Sequence, residues 1–204
     1  MGAGRPREFD VTAVLDAVAG RFRVRGFADT STEQLCEAAG VRRSSLYNTF
    51  TSKNELFVRA LERQTSLALE QQAAVLTDER LPGAERLVAL FDLVLAEERA
   101  AGREGHAAGC MIVASRMAPD LGAREPRVQS LLDRYTDIQL SLVAGAVRAG
   151  QLDGTLREDV APHDAALMVS SAISGLRVLA QSGSGVAELA RVAELHLGSL
   201  RAAT

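Results

Sequence analysis

Thr32-Glu33-Gln34-Leu35-Cys36-Glu37-Ala38-Ala39-Gly40-Val41-Arg42-Arg43-Ser44-Ser45-Leu46-Tyr47-Asn48-Thr49 reads as two short helices joined by a tight turn. Leu35, Val41 and Leu46 fall where the helices of such a hairpin must meet. Cys36 is small enough to let them cross closely, and Gly40 supplies the positive φ that the turn needs. Two overlapping capping boxes, Thr30 with Glu33 and Ser31 with Gln34, announce the first helix. The second helix has one buried position, Leu46. Around it stand Arg42, Arg43, Ser44, Ser45, Tyr47, Asn48 and Thr49, nearly all hydrogen-bonding side chains. Such donors and acceptors suit base edges and phosphates in a major groove. The alternative is an ordinary helical hairpin with a solvated face. Such faces usually carry acids, and the stretch from Arg42 to Lys53 carries none.

Helical spacing continues on both sides. Val11, Val14, Leu15, Val18 and Phe22 predict a helix behind an Asp10 N-cap, ended by Gly26. Ser52 and Glu55 form another capping box and open a long helix through Leu56, Phe57, Ala60 and Leu61 towards Leu76. Pro82-Gly83 breaks the pattern. Leu87, Leu90, Phe91, Val94 and Leu95 mark a helix ending before Gly102, and Gly105–Met117 is a short apolar stretch closed by Pro119 and Gly122. An amphipathic helix is expected from about residue 126 to residue 149, closed by Gly150. Asp164–Gln181 is apolar on nearly every side, and Gly183 and Gly185 separate it from a last helix, Val186–Leu200. No segment shows the period-2 alternation of a strand. The expectation is all-α: a three-helix helix-turn-helix unit over residues 1–60, then a helical bundle over residues 61–204.

Composition agrees. The 204 residues are 47% hydrophobic and 4% aromatic, rich in alanine and poor in β-branched residues. Net charge is −3, with +2 in residues 1–60 and −5 in the remainder, so a polyanion suits the front better than the back. The longest uncharged run, Ala165–Leu176, is too short to span a bilayer, and Met1–Asp10 has no apolar signal-peptide core; a cytoplasmic protein is expected. Cys36 and Cys110 form neither a metal-ligand spacing nor a disulfide framework, so no metal and no cofactor is expected. His106, His163 and His196 are scattered, and Gly183-Ser184-Gly185-Val186-Ala187-Glu188 lacks the third glycine of a dinucleotide loop, which argues against an enzyme. A helical interaction or sensor module without DNA binding is the remaining rival. It would account for the bundle but not for an acid-free second helix.

Arg25-Gly26-Phe27, Thr30–Val41, Ser45-Leu46-Tyr47 and Phe50-Thr51-Ser52-Lys53-Asn54-Glu55-Leu56-Phe57 together resemble the signature of the tetracycline-repressor (TetR) family over about fifty residues. Cys36 stands where alanine is usual, and Asn48-Thr49 replaces a more usual pair ending in His or Tyr, a departure that bears on operator sequence. Gly109-Cys110-Met111-Ile112 is similar to a short Gly-Cys-Leu stretch in some sensor domains of that family. The resemblance implies a homodimer of about nine helices per subunit, with three N-terminal helices on double-stranded DNA at a palindromic operator. It also implies a C-terminal bundle that senses a small molecule. By position, Tyr47 and Lys53 match the family's phosphate contacts, and Thr30 and Ser31 match the start of its second helix. Arg42, Arg43, Ser44, Ser45 and Asn48 take base-reading places, with Thr49 beside them; Arg5 and Arg7 precede the first helix. Repression is favoured over activation by the family's habit.

In the C-terminal half, Val186, Leu189, Ala190, Ala193, Leu197 and Leu200 form a packing stripe. The preceding helix carries one face of Met168, Ala172, Gly175 and Leu179 and another of Ala165, Val169, Ile173, Leu176 and Ala180. A helix apolar on two faces suits its own bundle on one side and a partner subunit on the other. Ala172, Gly175, Leu179, Leu189, Ala193 and Leu197 are therefore expected at a dimer interface. Soft side chains at Phe91, Cys110, Met111, Met117, Tyr135 and Met168 mark an expected pocket for a mainly apolar effector, with plain core as the alternative for each. Cys110 is open to two readings, a sensor thiol or a small buried hydrophobe.

Overall fold

In a computed structural model, residues 10–103 and 109–202 are described, and they form ten helices. Arg5 and Arg7 lie outside the described residues. Helix α1 (Val11–Arg25) starts where Asp10 accepts hydrogen bonds from the Thr12 and Ala13 amides at 2.8 and 3.3 Å. It stops at Gly26, whose φ is +73°. Helices α2 (Thr32–Ala39) and α3 (Arg43–Phe50) are the expected hairpin, with Gly40 left-handed at φ +64° between them. Helix α4 (Lys53–Leu76) is capped by Ser52, which accepts from the Glu55 amide at 3.0 Å.

Helix α5 (Gly83–Arg103) starts on the glycine itself and runs through Gly102. Two short helices follow, α6 (Met111–Arg116) and α7 (Pro119–Arg124), where the sequence suggested one apolar stretch closed by Pro119 and Gly122. Proline at a first helical position costs nothing, because its missing N–H would be unsatisfied there. Helix α8 (Pro126–Leu152) does not stop at Gly150. There the missing side chain makes room: a Cβ on Gly83 would lie 2.0 Å from the Gly150 nitrogen, and one on Gly150 2.5 Å from Leu156. The same junction is polar at its edge. Asp153 accepts from the Gly83 amide at 2.7 Å, and Thr155 from the Ala84 amide at 3.2 Å. Helices α9 (Pro162–Gln181) and α10 (Val186–Leu200) complete the chain.

The apolar side chains gather in two clusters, taken in order as the upper and the lower. One joins α5, the second half of α8, α9 and α10 around Leu87, Phe91, Val143, Val169 and Leu197. The other joins α1 to the first half of α4, and it also contains Met111, Leu121, Val128 and Leu132 from α6, α7 and α8. Helices α4 and α8 pass through both. An Asp16–Arg63 pair with two hydrogen bonds of 2.6 and 2.8 Å ties α1 to α4, and Arg127 reaches from α8 to Glu55 at 2.8 Å. Among the described residues no helix is long and apolar enough to cross a membrane.

The expected dimer stripe is corrected by this packing. Ala172, Leu189, Ala193 and Leu197 are buried inside their own subunit's cluster, because the α10 stripe closes the bundle over α5 and α9. Of the six residues only Gly175 and Leu179 face outwards. The outward face of α9 is Asp164, Leu167, Ser171, Ser174, Gly175, Val178 and Leu179, with its one charge, Asp164, in the first turn, and Leu195 on α10 is 75% exposed.

Candidate nucleic-acid interface

The hairpin is built on aromatic packing. Phe22 and Phe57 meet edge to face at 4.9 Å, and Phe27 meets Phe57 at 5.1 Å, which fixes α1, the α1–α2 turn and α4. Leu35 and Leu46 are fully buried between α2 and α3. The outward surface of α3 is then Arg42, Arg43, Ser44 and Asn48, all exposed, with Ser45, Tyr47 and Thr49 half-buried at its edges. The Thr49 hydroxyl donates back to the Ser45 carbonyl at 3.3 Å.

Ser31 is the N-cap of α2, and the Ser31–Gln34 capping box is the one that forms, with bonds of 3.3 and 2.9 Å. Thr30 is not available to DNA. It is 1% exposed, and its hydroxyl donates to the Gly26 carbonyl at 2.6 Å, closing the end of α1. The expected phosphate contact of Thr30 is therefore not open to its side chain. The Tyr47 hydroxyl is 2.7 Å from the Thr32 hydroxyl, so the phenol is held against the start of α2. The Lys53 ammonium lies 4.4 Å from the centre of the Phe27 ring, and partial burial lowers its pKa while Asp29 opposes the shift. Arg59 lies over the Phe50 ring at 5.0 Å.

The sequence marked Glu33 only as a capping-box partner of Thr30 and Thr32 only as the start of the hairpin, and neither as part of the recognition surface. Glu33 sits in the first turn of α2 and accepts from Arg43 at 3.1 Å. A pair ten positions apart and on different helices leaves no local spacing to read.

In the C-terminal half the expected pocket residues are not brought together. Phe91 and Met168 belong to the upper cluster, Met111 is buried against α1 and α4, and Met117 is 78% exposed at the end of α6. Met117 cannot line a closed cavity, because α6 ends just before it with its last turn on the surface. Cys110 is half-buried at the start of α6. Tyr135 is buried among polar groups: Gln72 and Gln139 donate to its hydroxyl at 2.8 and 2.9 Å, and Gln139 donates also to the Gln72 carbonyl at 3.0 Å. Nearby, Arg177 is buried between Glu98, at 3.0 Å, and Glu97. The signal for this polar plane was legible in part, since Gln139 continues the buried stripe of Val128, Leu132 and Tyr135 on α8. A cleft of about 40 Å³ beside Tyr135 and a groove of about 400 Å³ between α1 and α4 take in none of Phe91, Cys110, Met111, Met117 and Met168.

Burial pushes the Tyr135 phenol up to about 12, with the Gln72 hydrogen bond opposing. A phenol is neutral when protonated, and its ordinary value is about 10. The folded chain therefore keeps a proton that the unfolded chain releases between those values, and stability falls as pH rises through that window, unaffected below it. The chain has two tyrosines and no tryptophan. In a Tyr47→Phe variant, absorbance at 295 nm should rise near pH 12 in native buffer and near pH 10 in denaturant. A native step near 10 would refute the burial.

Known proteins share this arrangement. The pattern described as "Bacterial regulatory proteins, tetR family" matches residues 14–60. The repressor BdcR of Escherichia coli K12 is 32% identical over 126 residues, which span 62% of this chain and 62% of BdcR. The repressor ComR of the same organism is 26% identical over 197 residues, 93% of this chain and 88% of ComR. A solved structure of the TetR family regulator CifR, complexed with a 26 bp double-strand operator DNA, superposes with a TM-score of 0.79 at 27% identity, covering 96% of this chain and 99% of that one. A regulator from Agrobacterium tumefaciens shares the fold at a TM-score of 0.83 and 16% identity, over 94% and 97% of the two chains. With Ser31 capping α2, Gly40 turning the hairpin and an exposed, acid-free α3 above Tyr47 and Lys53, residues 14–60 match the pattern of the tetR family of bacterial regulatory proteins in structure as in sequence.

Proposed function

We infer that the chain is a sequence-specific, DNA-binding transcriptional regulator, acting in the cytoplasm as a homodimer on a palindromic operator, and that it represses until a small molecule releases it. The observation that carries this reading is the surface of α3. Arg42, Arg43, Ser44 and Asn48 project from a helix fixed by Leu46 and by the Phe22–Phe27–Phe57 cluster, and Tyr47 and Lys53 flank it. Residues 1–60 carry DNA recognition and residues 61–204 the sensing and dimer functions. The relatives are named as repressors, which supports repression and a non-enzymatic role. The outward face of α9, uncharged from Leu167 to Leu179 apart from the buried Arg177, supports a two-fold pairing of subunits, matching a two-fold operator. The polar plane of Gln72, Tyr135, Gln139 and Arg177 supports an effector that makes directed hydrogen bonds, in place of the mainly apolar one that soft side chains suggested.

Gel shifts with promoter-proximal fragments test the reading, and the absence of any specific duplex would sink it. Arg42→Ala, if Arg42 pairs with guanine, should cost about 1–3 kcal/mol and relax preference at one base position. Tyr47→Phe and Lys53→Ala should weaken binding to all sequences alike. The lysine change should also lower the slope of log K against log salt by about one, as expected for a phosphate contact.

A further inference from the structure

Arg43 is held in a particular way. Its Nη1 donates to Glu33 at 3.1 Å, and its guanidinium lies over the Tyr47 ring with its carbon 5.7 Å from the centre. The Tyr47 hydroxyl is in turn bonded to Thr32, the neighbour of Glu33. Four residues of α2 and α3 thus form a closed chain on the exposed surface. The grip on Arg43 uses one donor. Its Nε and Nη2 make no other hydrogen bond among the described residues, and that two-donor edge is the one that fits O6 and N7 of a guanine.

The charge of Glu33 is favoured by its surroundings. Its own backbone N–H and the Ser31 hydroxyl hold its carboxyl below the ordinary glutamate range, followed by Arg43, with burial working the other way. Both side chains are exposed, 67% for Arg43 and 71% for Glu33, so the pair adds little to folding stability. Its position gives it another use. A carboxylate at the start of α2, on the surface that meets DNA, stands where a backbone phosphate would approach the helix N-terminus.

We propose that Glu33 is a specificity-determining positioning residue: it aims Arg43 at a base, and its charge opposes DNA on which no base contact offsets the repulsion. This rests on the DNA-binding reading above. Unfavourable charge against wrong partners is a general means of discrimination, at some cost in affinity.

The experiment uses the full chain. A preferred duplex is selected from a randomised pool, and affinities for it and for a scrambled duplex are measured by fluorescence anisotropy between low and moderate salt. Glu33→Gln should tighten binding to the scrambled duplex and steepen its salt slope by about one, the signature of one more phosphate contact. It should lower the ratio of specific to scrambled affinity by roughly tenfold, on the scale of one misread base pair. Glu33→Asp keeps the charge but is too short to reach Arg43. It should leave scrambled binding weak while lowering the ratio. In an Arg43→Ala background, Glu33→Gln should still tighten scrambled binding but change the contribution of the Arg43 base position no further. An unchanged ratio in Glu33→Gln would overturn the proposal, as would an equal fall in the ratio at that base position with and without Arg43. A parent protein that enriches no sequence would overturn the DNA-binding reading itself, which is a different result from enrichment that Glu33 does not influence.

Discussion

Gly83→Ala should lower the melting temperature by roughly 6–12 °C, from a loss of about 3 kcal/mol at 2–4 °C per kcal/mol for a chain of this size. The added Cβ would lie 2.0 Å from the Gly150 nitrogen, 2.3 Å from its Cα and 2.7 Å from the Ala146 carbonyl oxygen. All three are backbone atoms, so no rotamer change relieves the contact, and α5 must move away from α8. That movement would also stretch the Asp153 and Thr155 hydrogen bonds to the first amides of α5. Gly102→Ala is the control within the same helix. Nothing lies within 4 Å of its added methyl, and it should stabilise by about 0.5–1 kcal/mol through helix propensity alone. Thermal unfolding followed by circular dichroism at 222 nm separates the two. Equal melting temperatures would show that α5 and α8 do not meet backbone to backbone.

The second large effect concerns α9 and α10, where two substitutions to aspartate should fail in different ways. Leu197 is 8% exposed and lies in the upper cluster, so Leu197→Asp places a charge in an apolar interior and should cost about 3 kcal/mol or more, with loss of helical signal on mild heating. Val178 is 49% exposed on the outward face of α9. Val178→Asp should keep the melting profile of the isolated subunit and shift the sedimenting species from dimer to monomer, because two copies of the charge would face each other across a two-fold axis. Retained dimers in Val178→Asp, with monomers in Leu197→Asp, would restore the α10 stripe as the interface.

The sequence was most readable where a local rule decides the outcome. The Ser31–Gln34 box, Gly40, Ser52 and the limits of α10 follow from capping and turn chemistry within four residues, and the structure has them. The single buried position of α3, Leu46, follows from the helical period. It was less readable where the answer depends on which neighbour a face meets. The apolar stripe of α10 is real, but periodicity cannot say whether it packs on α5 and α9 or on a second subunit. Thr30 looked like a cap and is instead a buried hydrogen-bond donor to the end of the preceding helix, a choice between accepting from an amide and donating to a carbonyl that only packing makes. Gly150 looked like a stop signal and is a close approach, because a glycine chosen for space and one chosen for φ are the same letter. Met117 and Met111 are alike in chemistry yet lie on opposite sides of the surface, since a six-residue helix offers too few turns to fix its orientation from sequence.

The lower cluster has an evolutionary corollary. Met111, Leu121, Val128 and Leu132 lie in one continuous apolar core with Phe22, Phe57 and Leu61. A recombination event that joined a foreign reading head to this sensor at residue 60 would leave four large side chains facing a surface they did not evolve against. Successful exchange of operator preference should therefore travel with α6, α7 and the first two turns of α8, or proceed by point changes on the outer face of α3, which no core residue shares. Heads and sensors joined in this way drift together. New operators should be reached by changing Arg42, Ser44 and Asn48 long before they are reached by swapping domains.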